Sequence, residues 1–170
     1  MPVKPRRSYE AGHRPKFLVV VDGTPECDRA VYFAARRASR VGADIAMLAV
    51  VEPSEYRHFL GVGEVIMAEA SEEARKRLDA AAAVIRRLAG LQPQEVVREG
   101  VTAEEIVALI EEDEDVSLLV LAAGEGAEGP GPLLTALAGK GLAGRGLGSF
   151  PVPIAIVPGG LGDAEIDALA

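Results

Sequence analysis

Five short apolar runs, separated by segments of helical periodicity, leave few folds open to this chain. The first, Phe17-Leu18-Val19-Val20-Val21, is continuous rather than alternating, the pattern of a strand buried on both faces. It stops at Asp22-Gly23. Thr24 reads as an N-cap, and Pro25 fits the first helical position, where its missing N–H costs nothing. Apolar residues then recur at 27, 30, 31, 34, 38 and 41, one face of a helix that Gly42 closes. The alternation repeats along the chain. Ile45 to Val51 is a second buried run, and Glu64 to Leu88 a long helix with Met67, Ala70, Ala74, Leu78, Ala81, Ile85 and Leu88 on one stripe. A short strand surrounds Val96 and Val97. Thr102 and Glu105 then have capping-box spacing ahead of Ile106, Leu109 and Ile110.

Val116 to Leu121 is the fourth run, and Val152 to Val157, between Pro151 and Pro158, the fifth. Between them, residues 124–148 read as a glycine- and proline-rich loop broken by Leu133-Leu134-Thr135-Ala136-Leu137. Strands are expected at 16–21, 44–51, 94–99, 116–122 and 152–157, all parallel, with helices on both faces. The fold class is a single three-layer α/β/α domain with right-handed crossovers. Residues 1–15 form a flexible basic tail, 16–160 the domain, and 161–170 a C-terminal tail with one or two helical turns.

Composition narrows the function. At 170 residues the chain buries enough surface to need no disulfide or metal staple. Its 49% hydrophobic and 26% charged residues are globular values. A net charge of -8 repels phosphate backbones and argues against nucleic acid. One Cys and two His cannot build a disulfide or a structural zinc site. The run after the basic tail is too short to span a membrane, and no signal-peptide pattern precedes it. A reduced cytoplasm, without membrane or nucleic-acid partners, is the expectation.

Few motifs carry chemistry. Gly139-Lys140-Gly141 fails as a phosphate loop, because Gly follows the lysine and Leu134 stands at the first glycine position. Gly124-x-Gly126-x-x-Gly129 matches a dinucleotide fingerprint but follows the fourth strand, with Pro130 and Pro132 where the helix should open. Cys27 lies on an apolar helical stripe and reads as a core thiol. His58 reads as an ordinary loop residue, and Glu111 to Asp115 as solvated surface. No Gly-x-Ser-x-Gly elbow or His-x-x-x-His pair is present, and a response-regulator reading lacks a second acid after strand one. Position is more telling. Asp22 ends the first strand and a glycine loop follows the fourth, so the two share a crevice if those strands are neighbours. The glycines there either cradle phosphate or only permit tight turns.

The segments FLVVVDGTPECDRAVYFAARRASRVGADIAMLAVVEP and PVPIAIVP resemble the universal stress protein family, over about residues 16–160. The resemblance implies strand order 3-2-1-4-5, a homodimer through the last strand and a role in stress response. Pro151 and Pro153 fit an edge position for that strand, whose apolar edge needs covering. One branch of the family binds ATP through an Asp after strand one, a Val ending strand two, and Gly-x-x-Gly-(nine residues)-Gly-[Ser/Thr]. Asp22 and Val50 match the first two. Gly126, Gly129 and Gly139 match the third in spacing, with Lys140 in place of the hydroxyl residue. The motif starts late, since Ala122 stands where its first glycine is expected. Glycines at 139, 141, 144, 146 and 148 also argue against the helix that follows in the family.

The implied function is binding of an adenine nucleotide, ATP or AMP (Mg2+ accompanying ATP), at the switch point of the sheet. Asp22 and Val50 would contact adenine. Gly126, Gly129, Gly139 and Lys140 would meet phosphate, with help from Arg145. No residue is placed to orient water, so no enzymatic activity is expected. The alternative is a nucleotide-free homodimeric scaffold.

Overall fold

Residues of β1 (Lys16–Val20) and its continuation divide by parity. Phe17, Val19 and Val21 enter one core, and Leu18 and Val20 the other. Only a strand covered on both faces supports such a run, and the computed structural model, which describes residues 4–53 and 62–170, places β1 at the centre of the sheet. It pairs in parallel with β2 (Asp44–Val51) on one side and β4 (Val116–Ala123) on the other. β3 (Gln94–Glu99) joins β2, and β5 (Ile154–Pro158) joins β4, both parallel. The order is 3-2-1-4-5, with β3 and β5 at the edges.

One face is covered by α1 (Cys27–Val41), α2 (Gly63–Ala89) and, after β5, α5 (Asp163–Leu169). The expected stripe of α2 is the face that packs: Ala74, Leu78, Ala81 and Ile85 are buried, with Met67, Ala70 and Leu88 beside them. Each fully buried Leu or Ile contributes about 1.5–3 kcal/mol. The C-terminal segment is a short docked helix, its Ile166 fully buried. Arg29, Arg36 and Arg40 of α1 bond to Asp163, Asp167 and the Ala170 carbonyl.

The other face is covered by α3 (Thr102–Glu112) and α4 (Pro132–Gly139). α4 is a correction to the loop reading of 124–148. Its Leu134 and Leu137 are buried, so tertiary packing stabilises a helix too short to persist alone. The segment after α4 is not an α-helix, as its glycines indicated. Leu142 and Arg145 bridge each other across a tight turn at Ala143-Gly144, both with positive φ, the geometry of a type I′ hairpin turn. Leu142 is fully buried, so this segment plugs the core.

Two cap expectations also change. Thr24 does not cap α1: its N–H and hydroxyl both donate to Asp22 Oδ1, at 3.1 and 2.7 Å. That local turn outcompetes capping. Thr102 is itself helical and donates its N–H and hydroxyl to Glu52 Oε1 at 2.9 and 2.8 Å, while Glu105 meets Arg98. The basic segment before β1 has partners too. Arg6 donates to the Ile110 and Asp113 carbonyls at the end of α3, His13 pairs with Asp115 at 2.7 Å, and Ser8 is buried. The acidic run read as solvated surface is the seat of this basic arm. Lys16 reaches the same run at Asp113.

Candidate functional site

Where β1 and β2 end, their connections diverge and leave a cavity of about 710 Å³, within the size range of small-molecule sites. Val20, Val21 and Asp22 line it from β1, and Val50, Val51 and Glu52 from β2. Ala70, Glu73 and Arg77 of α2 form one wall. The first residues of α3 and α4, Thr102, Ala103, Pro132 and Leu133, close the opposite side with Val101. The site lies at the carboxyl ends of β1 and β2, beside the β1–β4 boundary where the strand order reverses.

Its chemistry is mixed. Val20, Val50, Val101 and Leu133 supply apolar surface. Asp22, Glu52 and Glu73 supply acceptors, and Arg77 is the one cation among the described lining residues. Asp22 Oδ1 is taken by Thr24, so among described residues Oδ2 is the oxygen without a partner. Glu52 Oε1 likewise faces Thr102, leaving Oε2. Both carboxylates are therefore oriented by one oxygen while the other remains available.

The structure brings Asp22 and Val50 to one cavity. It does not bring the rest of the matched set there. Gly126 and Gly129 lie in a loop closed on itself, in which the Gly129 N–H donates to the Gly126 carbonyl and the Gly124 N–H to that of Pro130, both at 3.1 Å. Gly139 and Lys140 sit at the far end of α4, about 10 Å along the axis from the residues that line the cavity. Arg145 pairs with Glu111 at 2.8 Å, at the opposite end of α3 from Thr102. Cys27 is buried and bonds the Val20 carbonyl, and burial pushes its thiol up to about 11. His58 lies outside the described residues.

Glu52, Glu73 and Arg77 escaped the sequence reading. Glu52 was legible as the residue that follows strand two. Glu73 and Arg77 are spaced one helical turn apart on α2, but only packing shows that this face meets the cavity. Among the described residues no three His, Cys, Asp or Glu side chains converge as a metal site, and no helix is long and apolar enough to cross a membrane.

This fold has solved counterparts. The universal stress protein UspA from Lactobacillus plantarum superposes with a TM-score of 0.69 at 16% identity, covering 84% of this chain and 97% of that one. A universal stress protein in complex with cAMP gives 0.58 at 18% identity, covering 85% and 96%. One from Archaeoglobus fulgidus in complex with dAMP gives 0.51 at 17%, covering 84% and 96%. No curated protein sequence matches the chain significantly. The family model for the universal stress proteins matches residues 13–158, from the arm's His13 to the end of β5, and the chain belongs to that family.

Proposed function

We propose that the protein binds an adenine nucleotide in the cavity between β1, β2 and α2, and does not turn it over. The observation that carries this reading is that Asp22 and Val50 line the same cavity. Adenine is a flat ring with apolar faces and an amino edge that donates. Val50, Val20 and Leu133 offer surface for the faces, and the unpartnered oxygen of Asp22 accepts from the edge. The remaining carboxylate oxygens of Glu52 and Glu73 suit ribose hydroxyls. Solved relatives in complex with cAMP and dAMP support an adenine ligand.

The partner proposed for this domain is a second copy joined through β5, an edge strand whose Ile156 is 49% exposed. Calorimetry with AMP and ATP, with and without magnesium, tests the nucleotide reading. Asp22→Ala is expected to lose about tenfold or more in affinity, the worth of a hydrogen bond to a charged group. Cys27→Ala is expected to lose little. Absence of heat for every adenine ligand at millimolar concentration leaves the nucleotide-free scaffold as the reading.

A further inference from the structure

Arg77 is placed unlike the other arginines among the described residues. Its stem crosses the turn after β1 so closely that a Cβ on Gly23 would lie 3.1 Å from its Cδ and 3.2 Å from its Nε. The Nε is buried and has no hydrogen-bond partner among the described residues. Glu73, one turn earlier on α2 and beside it in the cavity wall, pairs with Lys76 instead. The packed stem holds the guanidinium in place, and the planar fork of its remaining N–H donors fits phosphate.

The opposite side of the site is unsuited to an anion. The void between the turn after β1 and the loop at 130–134 is about 20 Å³, room for about one water. The Glu26 carboxylate faces that loop, with Oε1 3.3 Å from where a Cβ on Gly124 would stand and 3.8 Å from one on Gly131. A phosphate here would meet a like charge and find the Gly124 and Gly129 N–H groups already bonded within the loop.

We infer that Arg77, from α2, is the phosphate-binding residue of the cavity, and that the site prefers a nucleoside monophosphate to a triphosphate. The inference rests on the adenine-nucleotide reading above. Arg77 stands among three carboxylates, so every phosphate beyond the one it contacts adds repulsion that no other cation of the described lining offsets, which disfavours a triphosphate. The apolar and acidic surface is left for the nucleoside.

The test is calorimetry of the full chain with adenosine, AMP and ATP, together with the Arg77 Nε–H resonance of wild type. AMP is expected to bind about tenfold more tightly than adenosine or ATP. Arg77→Gln lowers AMP affinity about tenfold or more and leaves adenosine unchanged, which also shows that the variant is folded. Glu26→Gln leaves AMP affinity unchanged. In wild type, AMP and inorganic phosphate shift the Arg77 Nε–H signal and adenosine does not.

Equal AMP affinity in wild type and Arg77→Gln overturns the inference, as does tighter binding of ATP than AMP or a tenfold gain in Glu26→Gln. Each of these leaves the adenine reading standing. A signal that responds to inorganic phosphate in a protein that binds no adenine ligand overturns the adenine reading and keeps Arg77 as the anion contact. A signal silent to every phosphate overturns the assignment of Arg77.

Discussion

Cys27 shows how one residue's surroundings set its chemistry. It starts α1 on the buried face, and desolvation raises its thiol to about 11, so it is not the reactive cysteine that a helix start suggests. The raised value has a definite sign. Folding favours the protonated thiol, so its contribution is complete below the ordinary thiol value of 9.0 and disappears as pH rises through about 11. Unfolding measured from pH 7 to 11 is expected to show a loss of about 2–3 kcal/mol over the upper part of that range. Cys27→Ala removes that slope, whatever its cost at neutral pH.

Gly141 is constrained just as tightly by its backbone. Its φ is +83°, and a Cβ would lie 2.2 Å from the Arg145 carbonyl oxygen. Gly141→Ala is expected to destabilise by at least about 2 kcal/mol in denaturant titration, since it combines left-handed strain with a backbone clash. A neutral result would show that the turn carrying Leu142 is not needed to seal the core.

Among the elements, α3 depends on residues far from it in sequence. Its last turn ends in acids, against the helix dipole, and local N–H groups reach only the Leu109 and Asp113 carbonyls. Arg6 supplies both the charge and the donors, bonding the Ile110 and Asp113 carbonyls at 2.6 and 3.1 Å. Arg6→Ala should therefore cost about 1–2 kcal/mol and lower the melting temperature by roughly 2–8 °C. A melting temperature within a degree of wild type would make the arm a passenger. The other end of α3 is held differently, since Glu52 at the end of β2 bonds Thr102 and so ties the helix start to the cavity rim. The element that covers one face of the sheet thus also shapes the site.

At the scale of the molecule, the five-stranded sheet has two edges that are finished differently. β3 carries Gln94, Glu95, Arg98 and Glu99, charged and polar residues that discourage further pairing. β5 carries Ile154, Ala155, Ile156 and Val157 between prolines, an apolar edge with Ile156 half exposed. A two-fold pairing of β5 with its copy would cover it. Sedimentation at micromolar concentration is expected to give a dimer, and Ile156→Lys a monomer with an intact fold. A monomeric wild type would end that expectation.

How much of this was legible in the chain follows from where each driving force resides. The apolar runs at 17–21, 45–51 and 116–121 and the stripe from Met67 to Leu88 carry their own period, so strands, helices and layers could be read residue by residue. The position of Asp22 and Val50 at strand ends followed from the same reading, because a parallel sheet puts all those ends on one side. What depended on distant partners could not be read. α4 exists because Leu134 and Leu137 find a core, and the basic arm is ordered because Glu114, Asp113 and Asp115 face it. Thr24 and Thr102 have cap chemistry, yet Asp22 and Glu52 claim their hydroxyls. The glycines of 139–148 argued only against a helix, and the fold uses positive φ at Gly141 and Gly144 to turn the chain around the buried Leu142. Arg77 shows the division best. Sequence marks it as one more helical cation, and only the fold lays its stem over Gly23 and sets it in the cavity wall.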